Sequence, residues 1–294
     1  MTQQTKVLAL FVVFLVACFA RPLYELCRFA GHSELFSHIF LIPFISFYAA
    51  WLKRDQLVRS PRPAGFPALI CFALGLIVLL IHFLSPRFGF AALRGDSLTW
   101  MTLSFLLFVF AAGCFCLGKE NLHTFAFPLA FLVFIVPLPT FLVECIETFL
   151  QQTSAATAQV LFAMTGLPVF RQGLVLQLPG IRLEVAPECS GIHSTLVLFI
   201  TSVVAGQLFL QATWKRVLLA SVVLPLGILR NAIRICTIGN LCVHVGPEMI
   251  DAPIHRRGGP VFFLISLVPL FLLLYFLRAS EPTKPPGTLL QSPT

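Results

Sequence analysis

Residues 186–194 read Ala-Pro-Glu-Cys-Ser-Gly-Ile-His-Ser, the densest polar cluster in an otherwise apolar chain. Cys189 stands there just ahead of an apolar run that predicts a helix. A thiol at a helix N-terminus feels the positive end of the helix dipole and unpaired backbone N–H groups, and both favour the nucleophilic thiolate. Glu188 and Ser190 flank it, and His193 follows four residues later, close enough on a helix to touch it. On position alone, a small residue in a packed turn is the simpler reading of Cys189.

A second cluster changes that balance. Leu226-Gly227-Ile228-Leu229-Arg230-Asn231-Ala232-Ile233-Arg234-Ile235 sets two arginines and an asparagine inside an apolar run. An arginine at mid-bilayer costs from roughly 2.5 to over 10 kcal/mol, so such residues face the interior of a bundle and serve function. Arg230 and Arg234 are four apart, and Asn231 and Arg234 three apart, which puts all three near one helix face. Snorkelling to an interface is the competing reading. A third candidate is His255, in the loop Ile254-His255-Arg256-Arg257-Gly258-Gly259-Pro260. It suits a general acid or base near neutral pH, in competition with His193 and His244. Thiol, imidazole and fixed cation together make a thiol acyl-transfer site. The thiolate attacks a carbonyl, the arginine stabilises oxyanion or thiolate, and the histidine protonates the leaving amine.

The elements that must position these groups are membrane spans. The chain is 58% hydrophobic and 11% charged, against about 25% charged residues in soluble domains. Its apolar residues cluster into runs near the length of a spanning helix. The sequence therefore predicts an all-α polytopic membrane protein, a single membrane domain over 1–294. About eight transmembrane helices are expected, near 7–20, 35–52, 66–84, 98–118, 125–143, 191–210, 217–243 and 260–277. The first reads as an uncleaved helix rather than a signal peptide. Residues 279–294, rich in proline, read as a disordered cytoplasmic tail.

The longest stretch between spans, 144–188, has two halves. The first, 147–164, mixes Gln, Thr, Ser and Ala with Phe149, Leu150, Val160 and Leu161, the pattern of an amphipathic interfacial helix. The second alternates: Leu174, Leu176 and Leu178 share one strand face, and Ile181, Leu183 and Val185 share another. Pro179-Gly180 stands between them as a turn, which predicts a small β-hairpin leading to Cys189.

Lys53, Arg54, Arg59 and Arg62 form the strongest basic cluster and belong in the cytoplasm. Both termini then lie inside, while the helix–hairpin stretch, Cys189, Arg234 and His255 lie at the outer face. The net charge of +8 sits in short loops beside apolar segments, without a basic run interleaved with aromatics, so nucleic acid is excluded as a partner. Nine cysteines, an odd number without a CxxC pair, are not a disulfide framework or a metal site; neither a metal nor another cofactor is expected.

At these residues the sequence resembles the exosortase/archaeosortase family. The likeness rests on Cys189-Ser190-Gly191-Ile192, on Asn231-x-x-Arg234, and on His255 before the Gly-rich start of the final helix. It implies a membrane-embedded cysteine transpeptidase that processes C-terminal sorting signals, each a short motif such as PEP, a transmembrane helix and a basic tail. By the resemblance Cys189 is the nucleophile, Arg234 the motif arginine and His255 the family histidine. Arg230, Asn231, His193, Ser190 and Glu188 remain supporting candidates. The implied partners are the sorting-signal helix of exported proteins, membrane lipid and an acceptor nucleophile, in a bacterial cytoplasmic membrane and in association with exopolysaccharide production. Two other readings stay open: another membrane thiol acyltransferase or protease, and a transporter that binds an anion through Arg230 and Arg234.

Overall fold

The computed structural model describes residues 3–58, 62–84, 96–186, 190–246, 248–249 and 259–281. Two compact units divide the chain, Met1–Val143 and Glu144–Thr294. Both are mainly helical.

The first unit opens with α1 (Gln3–Cys18) and α2 (Ala20–His32). The expected first span, 7–20, is broken at Phe19, and the two helices meet at 76°. The cause lies in α2, which carries Arg21, Glu25 and Arg28 on exposed positions and buries only Leu26 and Ala30. Such a helix cannot continue an apolar span, and Arg21 pairs with Glu25 at 3.2 Å on its surface. The expected second span, 35–52, is also shorter. A 3₁₀ turn over Ser37–Phe40 precedes α3 (Ile42–Leu52), whose eleven residues cover about 16 Å of a ~30 Å hydrocarbon core.

α4 (Gly65–Leu84) packs closely on α5 (Ser97–Phe131) at Gly75, where a Cβ would lie 3.1 Å from the Phe108 ring. α5 is not a straight rod. Gly118 has φ 71 and ψ 173, and a Cβ on Gly113 would meet the Leu129 side chain at 3.3 Å. In an unbroken helix those residues stand about 24 Å apart, so the chain folds back at Gly118. The groups orphaned there are satisfied: Ala64 N–H donates to the Cys114 carbonyl at 3.3 Å, and Lys119 N–H to the Arg62 carbonyl at 3.0 Å. Residues 119–124, expected as a loop, are therefore helical. Pro128 offers no N–H to the Thr124 carbonyl, and Lys53 Nζ donates to it instead at 2.9 Å. The expected fifth span, 125–143, gives out early. A 3₁₀ turn over Leu132–Ile135 and the prolines at 137 and 139 end it, and α6 (Thr140–Met164) begins.

In the second unit α6 buries Leu150, Gln151, Ser154, Ala155, Ala158 and Phe162 along one stripe. The expected hairpin is present and enlarged to three antiparallel strands, β1 (Phe170–Gln172), β2 (Val175–Leu178) and β3 (Ile181–Glu184), in the order β1-β2-β3. Leu176, Leu178, Leu183 and Val185 form its buried face against Phe162 of α6 and against Ile235 and Ile238, which belong to a later helix. That helix is α8 (Thr213–His244), preceded by α7 (Ile192–Phe209) and followed by α9 (Gly259–Ala279).

Among the described residues, five helical runs can cross a membrane by length and composition, or six if α1 and α2 make one bent span. The expected eight is not reached, because α3 is short, α1–α2 is bent, and the run Ser97–Ile135, doubled back at Gly118, counts once. Contacts to α8 extend past 279: Lys215 Nζ of α8 donates to the Leu277 carbonyl and the Ser280 hydroxyl, both at 2.9 Å. Glu281 in turn caps the start of α8, accepting the Gln211 N–H at 2.8 Å and the Ala212 N–H at 3.1 Å. Those N–H groups, Ala212 foremost, with Lys215 and Arg216 nearby, hold its carboxyl below the usual range. Residues 282–294 lie outside the described residues.

Candidate active site

The site grows from the close approach of α7 and α8. Gly227 of α8 faces Thr195 of α7, where a Cβ would stand 2.7 Å from the threonine Oγ1. One turn on, Arg230 reaches the N-terminal turn of α7. Its Nη2 donates to the Gly191 carbonyl and to Thr195 Oγ1, both at 3.2 Å. Arg230 is 7% exposed, so it does not snorkel. Among the described residues it has no carboxylate partner, and its buried Nη1 has no hydrogen bond. Asn231, 3% exposed, donates from Nδ2 to the Ser190 carbonyl at 3.5 Å.

Gly191 makes this seat possible. It caps α7 in the left-handed region, at φ 71 and ψ 16, and a Cβ there would sit 3.0 Å from Arg230 Nη2. α7 starts at Ile192. The expected contact of His193 with Cys189 lies outside the described residues. His193 is half-buried in the first turn of α7, its Nδ1 without a partner among the described residues. Ser190 is 3% exposed, and its Oγ accepts the Ile192 N–H at 3.4 Å.

Arg234 lies one further turn along α8, in the wall of a small open pocket. Asn231, Ile235 and Ile238 complete the α8 side, and Leu183 and Glu184 of β3, with Val185 just after them, form the other. The Val185 carbonyl is held by Gln151 Nε2 at 3.3 Å. The chain is thus anchored on both sides of 187–189, by Gln151 before and by Asn231 and Arg230 after. Cys189 and Glu188 themselves lie outside the described residues, as does His255. α9 runs antiparallel to α8, with Leu277 at Lys215. Eighteen residues back along α9 is about 27 Å, which brings its first residue, Gly259, roughly level with Arg230 to Arg234.

Of the expected site residues, Ser190, Arg230 and Asn231 meet at the start of α7, and Arg234 opens onto the adjoining pocket. Thr195, Gly227 and Gln151 were missed. Gly227 carried a signal, since a glycine inside an apolar spanning run lets a second helix approach closely.

A multi-pass membrane protein with buried polar groups fixed between two of its apolar helices is the class that fold and site define. The family model for transmembrane exosortases matches residues 30–272, and the chain belongs to that family. No curated protein and no solved structure matches it.

Proposed function

We propose that this chain is a membrane cysteine transpeptidase that removes C-terminal sorting signals from exported proteins at the outer face of the cytoplasmic membrane, with both termini inside. The observation that supports it most is the anchoring of Ser190 and Gly191, the residues next to Cys189, by Asn231 and by a buried Arg230 without a carboxylate partner among the described residues. A cation in a low-dielectric site beside a cysteine favours thiolate, and donors already in place stabilise an oxyanion without reorganisation.

In this reading the Cys189 thiolate adds to the scissile carbonyl and a C–S bond forms. A guanidinium holds the oxyanion, that of Arg234 by the family motif, with Arg230 one turn away. The C–N bond breaks as His255, protonated, gives its proton to the leaving amine. An acceptor, water or an amine, then attacks the thioester, passes its proton to the neutral His255 and displaces the thiolate. The basic cluster at Lys53, Arg54 and Arg62 supports the orientation.

The test is co-expression with an exported protein that ends in an apolar helix and a basic tail, tagged ahead of that helix. Wild type should shorten it, Cys189→Ala should leave it full length, and Arg234→Lys should be nearly as inactive, because lysine lacks the planar fork. Shortening that continues in Cys189→Ala would end this reading. A transporter, by contrast, would tolerate Cys189→Ala and fail on loss of Arg234.

A further inference from the structure

β3 is the edge of the small sheet, paired with β2 on one side only. Val185 N–H donates to the Leu174 carbonyl at 3.0 Å, which fixes the parity of the strand. Residues 181, 183 and 185 turn their main-chain groups toward β2, and Arg182 and Glu184 turn theirs to the open edge. The Glu184 carbonyl takes the Ala186 N–H at 3.1 Å. The Arg182 N–H and carbonyl and the Glu184 N–H are left without a partner among the described residues. Both residues are exposed, whereas Leu183 and Val185 are buried.

An open edge of this kind is a template for another strand. Here it borders a pocket, with Leu183, Glu184 and Val185 on one wall and Asn231, Arg234, Ile235 and Ile238 on the other. The strand also leads, four residues past Val185, to Cys189 in the chain.

We infer that an extended segment of the protein substrate adds to β3 as a fourth strand, main chain to main chain. This rests on the transpeptidase reading and says how that substrate is held. The ligand is an extended peptide, recognised first by the N–H and C=O groups of alternate residues. Every second side chain of the added strand falls on the face of Leu183 and Val185, where Asn231 and Arg234 stand. A helical cleavage region offers no free main-chain groups to the edge and is a poor substrate.

The test is an N-methyl scan of a synthetic peptide that covers the cleavage region of a protein the wild-type chain shortens. Methylation of the amide that donates to the Arg182 carbonyl should lower kcat/KM about fivefold to tenfold, the loss of roughly one hydrogen bond, and a methyl on the amide two residues along, which also faces the edge, should obstruct the added strand, with the amides between them tolerated. Tolerance throughout, or losses without a period of two, would overturn the inference while Cys189-dependent cleavage of the parent peptide left the transpeptidase reading intact. A parent peptide cut equally by Cys189→Ala would sink both. On the protein side, Arg182→Pro removes the edge N–H at a position where an edge strand accepts proline. It should cost about fivefold or more, and clearly more than Arg182→Ala, which keeps the main-chain N–H. Equal losses would assign the effect to the side chain and refute the main-chain contact. Hydrogen exchange at Arg182 and Glu184 should slow on addition of the peptide. Slowing that instead rises with protein concentration without peptide would assign the edge to a second copy of the chain, against the inference.

Discussion

Arg230→Lys should destabilise this protein more than Arg230→Met does, although lysine keeps the charge. Arg230 is 7% exposed, and one terminal nitrogen donates to both the Gly191 carbonyl and Thr195 Oγ1 at 3.2 Å. Hydrogen bonds from a charged donor are worth about 1.5–3 kcal/mol each. A lysine ammonium, shorter and without the fork, reaches at most one of the two acceptors. It loses about 1.5–3 kcal/mol and leaves a cation buried, whose desolvation costs several kcal/mol. Methionine loses both bonds, about 3–6 kcal/mol, but removes that desolvation cost as well, so the two terms largely offset. Thermal unfolding of the full chain in a mild detergent, followed by tryptophan fluorescence, ranks the three proteins. The order wild type, Met, Lys is expected, with both variants slow in processing because the start of α7 is no longer held. A lysine variant as stable as wild type, or a methionine variant clearly the weakest, would refute the account of the buried guanidinium.

Other outcomes follow from the same geometry. Gly227→Ala places a methyl 2.7 Å from Thr195 Oγ1 and should cost about 1–3 kcal/mol. Adding Thr195→Ala leaves the Cβ of residue 195 as the nearest of those atoms, at 3.4 Å, and should recover part of the loss, where strict additivity in thermal unfolding would count against the helix crossing. Gly118→Ala, at φ 71 and ψ 173, should lower stability by about 1–3 kcal/mol, because only glycine takes that conformation without strain. Glu281 has a depressed carboxyl pKa, so its capping contribution is present above the unfolded value near 4.5 and lost as the pH falls through the folded one. Wild type should therefore lose thermal stability more steeply on acidification below about 4.5 than Glu281→Gln, and parallel curves would contradict the cap. A membrane-impermeant thiol reagent should reach Cys189 from outside the cell; labelling from the cytoplasmic side alone would reverse the proposed orientation.

Much of the second unit was legible because its signals are local. Alternation through Leu176, Leu178, Ile181 and Leu183 around Pro179-Gly180 predicts the β2–β3 hairpin, and its turn residues fix the register. β1 was missed because Phe170-Arg171-Gln172 is three residues long and mostly polar. The long apolar runs of α4, α7, α8 and α9 gave their own positions to within a few residues. The first unit was harder. Hydropathy continues smoothly through Phe19, and only the charged face of α2 hints at the bend. Residues 119–124 look like a loop by polarity, yet Asn121 is 2% exposed and bonds to both the N–H and the carbonyl of Val58, a long-range pairing that no periodicity reveals. In the site, Arg230 and Arg234 were visible as charges in an apolar run. Their division of labour was not, because it depends on the left-handed Gly191 and the crossing at Gly227, which set Arg230 on the start of α7 and Arg234 beside β3.

In the proposed mechanism the sulfur at position 189 carries the substrate. Wild-type protein incubated with a sorting-signal peptide, acid-quenched and digested, should yield the Cys189 peptide bearing the acyl fragment as a hydroxylamine-labile thioester, detected by mass spectrometry. Cys189→Ala should yield neither adduct nor shortened product. An adduct on a different residue, or a shortened product from the alanine variant, would contradict the account.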